Sequence, residues 1–168
     1  PLFNSKDLTG WDIKIAGHDL NDNFNNTFYV KDSMIVVDYS GSKEFTKEFG
    51  HIYYNQPFSY YKVRVQYQFY GNQLTGGPGY AYLNSGLMLH SQSAASLSKE
   101  QSFPVSLEMQ FLASDSAIKQ HTGNLCTPGT VVSINGKPDN DHCIDSKSPF
   151  YDKQEWISAE AIVLGDSV

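Results

Sequence analysis

Tyr61-Lys62-Val63-Arg64-Val65-Gln66-Tyr67-Gln68-Phe69 alternates apolar and polar side chains almost without fault. Successive side chains on a strand point to opposite faces. Val63, Val65, Tyr67 and Phe69 therefore share one face, and Arg64, Gln66 and Gln68 the other. The same period recurs twice. Val105, Leu107, Met109 and Phe111 alternate with Ser106, Glu108 and Gln110, and Ile157, Ala159, Ala161 and Val163 alternate with Trp156, Ser158 and Glu160. Tyr80 to His90 reads as a further strand, with Tyr82, Asn84, Gly86, Met88 and His90 in phase. Shorter strands are predicted over Phe28–Val30, Met34–Asp38 and His51–Tyr54.

Turn signals separate these runs. The clearest are Asp38-Tyr-Ser-Gly41, Gly76-Gly-Pro-Gly79 and Asn135-Gly136. No segment carries an apolar stripe of helical period, and Ser93–Gln101 reads as a short surface helix or a loop. Many short strands between Gly- and Pro-rich turns predict an all-β sandwich or barrel. A chain of 168 residues suits one such domain, residues 1–168, with one hydrophobic core.

Composition narrows the function classes. The net charge is −6 with only 12 Lys and Arg, and phosphate backbones need clustered positive charge, so nucleic acid is not an expected partner. No apolar run reaches the roughly 20 residues that a helix needs to cross a bilayer. The chain opens at Pro1 without a Met, which suggests a removed leader or tag. A bond between Cys126 and Cys143 would close a loop of about 18 residues and contribute roughly 3 kcal/mol. The enclosed segment is rich in Gly, Pro, Asn and Asp and would gain from such a staple; the alternative is two free thiols. The bonded reading carries an oxidising compartment with it, so the protein is expected to be secreted or periplasmic, including as a surface lipoprotein.

Several strands carry Arg, Gln, Asn, His, Glu and Tyr opposite their apolar face. A curved sheet lined with such hydrogen-bonding and stacking groups suits a sugar groove, and a merely solvated sheet face is the bland alternative. Leu2-Phe3-Asn4-Ser5-Lys6-Asp7-Leu8-Thr9-Gly10-Trp11 resembles the opening of a bacterial family linked to 3-keto-disaccharide hydrolysis, with Ser5 where that family usually has Gly. Asn84-Ser85-Gly86-Leu87-Met88-Leu89-His90 resembles the family's Asn-Ser-Gly strand. Ser106-Leu107-Glu108-Met109-Gln110-Phe111-Leu112 resembles its Glu-x-Gln strand. Thr122-Gly-Asn-Leu-Cys-Thr-Pro-Gly129 with His142-Cys143 resembles a subgroup with paired cysteines. The resemblance implies a concanavalin-like jelly roll of two curved antiparallel sheets. Two departures stand out: His90 where the family often has Arg, and family domains that usually run several strands beyond the point matching Val168. The closing strands are therefore expected outside this sequence.

The resemblance also implies where chemistry sits. Glu108 is expected to point to the polar face as general acid, general base or metal ligand, against an ordinary solvated or ion-paired glutamate. His90 is the second candidate for proton transfer or metal binding, against a structural histidine. Asn84, Gln110, Arg64 and Tyr82 are the candidate sugar-binding residues, and Gly86 would allow a close approach. His121 and His142 flank the cysteine segment; no tight zinc spacing is present, and a divalent metal at a His/Glu site is kept open without a named ligand set. Asp19-Leu-Asn21-Asp-Asn23 begins like a calcium loop, but Phe24 replaces its glycine and Val30 its glutamate, so it reads as a polar loop. The resemblance implies cleavage of 3-keto-glycosides, with carbohydrate as partner; the acidity of a C2 proton beside a C3 ketone suggests proton abstraction and elimination followed by hydration. Hydrolysis by two carboxylates, with Glu160 beside Glu108, is the enzymatic alternative. A non-catalytic carbohydrate-binding module on the same sheet, or an interaction domain of a larger surface protein, are the alternatives outside enzymology.

Overall fold

The alternating segments become strands, and the places where the alternation breaks become their ends. The computed structural model describes residues 1–168. Its strands are β1 (Trp11–Ile15), β2 (Phe28–Lys31), β3 (Met34–Val37), β4 (Gly50–Tyr54), β5 (Tyr60–Tyr67) and β6 (Asn84–Leu89). They continue as β7 (Leu107–Leu112), β8 (Asn124–Cys126), β9 (Val132–Ile134), β10 (Lys137–Asp139), β11 (Cys143–Ile144) and β12 (Ile157–Leu164). The only helical pieces are single 3₁₀ turns at Phe24–Asn26, Gly79–Ala81 and Ala94–Ser96. The fold class is all-β, and its several antiparallel sheets, none of them closed, are consistent with the expected sandwich.

The chain forms two compact units. The first comprises Pro1–Pro57, Leu74–Gly77 and Gln92–Pro104. There β1 pairs with β4 and β2 with β3. Ile13, Ile15 and Phe28 form its core, with Leu8, Phe24 and Ile52 packed against them. Lys14 is buried on the other face of β1, and its ammonium donates to the carbonyls of Ile15 (3.2 Å), His18 (2.6 Å) and Lys99 (3.1 Å). A buried cation needs such partners. The opening motif is backbone chemistry. Asn4 Oδ1 accepts from the amides of Lys6 and Asp7, and Asp7 Oδ1 accepts from that of Thr9. The calcium-like loop is also used internally: Asp19 pairs with Lys99, Asn21 accepts from the Ile13 amide, and Asn23 brackets the Phe28 backbone.

The second unit comprises Phe58–Gln73, Pro78–Ser91 and Val105–Val168. β5 and β12 pair over eight residues, from Ile157 opposite Tyr67 to Leu164 opposite Tyr60. A four-stranded sheet runs β11-β8-β7-β6. The apolar faces of these two layers meet at Leu89, Ala161 and Val163, with Tyr61, Val63, Leu87 and Leu107 against them. Tyr67 stacks on Phe111, ring centres 4.2 Å apart. Burying a side chain such as Leu89 contributes about 2 kcal/mol.

Two sequence expectations are corrected here. The strand read over Tyr80–His90 is only Asn84–Leu89, because Leu83 (φ 49°) and His90 (φ 49°) both take left-handed backbone and break the phase at each end. The strand read from Val105 begins at Leu107; the Ser106 amide is instead drawn to the Pro128 carbonyl, and Val105 is exposed. β1 and the short strands β8 to β11 had no alternation long enough to announce them.

Candidate functional site

β7 places its even-numbered side chains on one face. Residues directly opposite in an antiparallel ladder share a face, so the register fixes the neighbours. Glu108 stands between Met88 on β6 and Cys126 on β8. Gln110 stands between Gly86 and Asn124, and Leu112 faces Asn84. Cys143 on β11 lies opposite Cys126 and is joined to it by a disulfide. The row across the sheet through Glu108 is thus a thioether, a carboxylate and a disulfide.

That row accounts for the electrostatics. No cation pairs with Glu108, and burial alone pushes its carboxyl up to about 7. The next row is polar and ordered. Asn124, itself buried, donates through Nδ2 to Gln110 Oε1 (3.0 Å) and accepts from the Ser146 amide (2.9 Å). This leaves the Nε2 of Gln110 as a donor beside Glu108, with the amide orientation set by this hydrogen-bond network. Asn84 donates through Nδ2 to the Tyr80 carbonyl (2.7 Å).

Glu108, Gln110, Asn84 and Gly86 therefore come together on one face. The other candidates do not join them. Arg64 points outward from β5, on the face away from the core, where it and Lys62 pair with Glu160 at 2.9 and 2.7 Å. Glu160 is held below the usual carboxylate range by those two cations and is not a partner for Glu108. Tyr82 donates to Asp115 (2.7 Å) from outside the strand. His90 is turned out of β6 and exposed; it lines a cavity of about 260 Å³ with Ser106, Thr130 and Asp166.

The donors around Glu108 do not make a ligand set for a divalent ion. No three of the chain's His, Cys, Asp and Glu side chains gather so that they could hold a metal ion, and the two cysteines beside Glu108 are tied up in their disulfide. His121 bonds to the Ser148 carbonyl and stacks on Phe150, and the His142 carbonyl accepts from Thr127. Asn124 and Met88 were not singled out in the sequence. The phase of Asn124 and Cys126 around Leu125 is the only signal that could have placed Asn124 beside Gln110.

The Asn-Ser-Gly and Glu-x-Gln segments are adjacent strands, and Asn84, Gly86, Glu108 and Gln110 share one face. The chain belongs to the 3-keto-alpha-glucoside-1,2-lyase-like domain family, whose match spans residues 1–168. No curated protein and no solved structure gave a significant match. The family suggests a lyase- or hydrolase-like domain with sugar ligands. No helix in the chain is long and apolar enough to cross a membrane.

Proposed function

We propose that this member of the family cleaves 3-keto-glycosides by elimination across C1 and C2, with Glu108 as the base. The observation that carries the reading is a desolvated, unpaired carboxylate at about 7 beside an ordered amide pair. A general base works best when its pKa lies near the operating pH. A ketone at C3 acidifies the C2 proton. Glu108 takes that proton, and the electron pair becomes an enolate on the C3 oxygen. In this reading Gln110 Nε2 donates to the sugar as that charge develops. The enolate then collapses to a C1–C2 double bond and expels the C1 substituent with its bonding electrons. The departing oxygen takes a proton from the protonated Glu108, and water adds to the alkene afterwards. The "1,2-lyase" of the family description names the same bond.

The face bearing Glu108 has no aromatic side chain in its rows on β6, β7, β8 and β11. Carbohydrate-binding modules rely on aromatic platforms, so this supports an enzyme over a binding module. The pairing of Glu160 with Lys62 and Arg64 likewise disfavours a two-carboxylate hydrolysis. The disulfide supports a secreted or periplasmic location.

The test offers 3-keto-glycosides and ordinary glycosides, with and without divalent cations, to the wild type and Glu108→Gln. Turnover of the keto-sugar, reduced by about 10²- to 10⁴-fold in Glu108→Gln, is expected. No turnover of any substrate by the wild type would sink the enzyme reading. Undiminished turnover by the variant would remove Glu108 from the mechanism.

A further inference from the structure

We propose that Gly86 is a positioning residue for Glu108: its bare backbone is the seat that admits the carboxylate against the sheet. The proposal rests on the reading of Glu108 as the base.

Gly86 is a mid-strand glycine of β6, and its φ lies outside the left-handed region. The backbone there would accept any residue, and a glycine inside a strand weakens it. What excludes a side chain is Glu108. A Cβ on Gly86 would lie 2.7 Å from Glu108 Cγ and 2.9 Å from its Cδ, and closer still to Oε1. Real Cβ atoms do not approach so closely. All three of these atoms belong to the Glu108 side chain, so the side chain and not the main chain would give way. Ser85 and Leu87 point to the opposite face and cannot take over the seat. Gly86 faces Gln110, the residue two along from Glu108 on β7, so the carboxylate reaches diagonally over the glycine toward the Gln110–Asn124 amide pair. A methyl group at position 86 would lift it off the sheet, toward water and away from that pair.

The seat thus does two things for the chemistry. It keeps the carboxylate poorly solvated, which raises its affinity for a proton. It also sets the distance between the base and the amide donor that acts on the same sugar.

The experiment follows the side-chain carboxyl titration of Glu108 by carbon NMR on glutamate-labelled protein, with Glu108→Gln to assign the signal. In Gly86→Ala the midpoint is expected to move down by about one pH unit, toward that of an ordinary glutamate. Turnover is expected to fall by about tenfold or more through kcat, with KM little changed. An unmoved midpoint would overturn the proposal. A thermal-unfolding cycle gives a second, independent reading. Gly86→Ala is expected to lower Tm when Glu108 is present and to raise it in a Glu108→Ala background, where the seat is empty. The same change in both backgrounds would also overturn it. If Glu108→Gln turns over substrate normally, the base assignment fails, while the titration and the cycle still decide the seat.

Discussion

Glu108 shows how a residue's neighbours decide its chemistry. An isolated carboxylate on a strand is normally a solvated surface group. Here the register gives it a thioether on one side and a disulfide on the other, and neither donates a hydrogen bond to it. The carboxyl therefore keeps its proton well above the ordinary range. Ser5 makes the converse point. Its backbone sits at φ 64°, where a side chain is strained. The turn is held by the Asn4 and Asp7 side chains, not by Ser5. Ser5→Gly is expected to stabilise the protein by about 1 kcal/mol, with activity unchanged. Equilibrium denaturation checks this, and a lower midpoint in the variant would show that the serine side chain contributes a contact worth more than the strain.

At the scale of elements, long alternation was decisive and short strands were opaque. β5, β7 and β12 each carry five or more residues of clean period two, and each is present with its apolar face inward. β8 and β11 have three and two residues, too few for any period to register. They exist because β7 offers an edge and the disulfide holds β11 to β8. The turn chemistry was legible only where it used common residues. Asn135-Gly136 forms the expected tight hairpin between β9 and β10. The β2–β3 hairpin places Asp32 and Ser33 in the same left-handed conformations, without an Asn-Gly signal. The site was half legible for the same reason. Alternation put Glu108 and Gln110 on one face, but the neighbours that give Glu108 its character come from strand pairing, which one sequence does not display. Opening Cys126–Cys143, by reduction or by paired Ser substitutions, is expected to cost about 3 kcal/mol, roughly 10 °C in Tm. Denatured, unreduced protein should show no reactive thiol, and two would refute the bond.

For the whole molecule, two half-buried titratable groups act on stability with opposite sign. Glu108 holds its proton to about 7 when folded and releases it near 4.5 when unfolded. Between those values the unfolded state binds fewer protons, so Glu108 removes stability as pH rises, by at most about 3 kcal/mol. His51 on β4 is half-buried beside Phe103, and this desolvation pushes its pKa down to about 4 from 6.5. Between those values the unfolded state binds more protons, so His51 removes stability as pH falls, by a similar amount. In one cooperative transition the two slopes nearly cancel between about pH 4.5 and 6.5, and each hides the other. The carboxylates lowered by hydrogen bonds or cations, such as Asp115 and Glu160, act at lower pH and are common to all variants. Differences from wild type therefore isolate each group. Relative to wild type, Glu108→Gln is expected to gain stability steadily from about pH 4.5 to 7, and His51→Gln to gain it as pH falls from about 6.5 to 4. Urea denaturation of the three proteins across that range checks both slopes. Calorimetry that resolved two transitions would show each slope on its own. A flat difference for Glu108→Gln would mean that its carboxyl titrates like any surface glutamate, and the base near pH 7 would lose its physical footing.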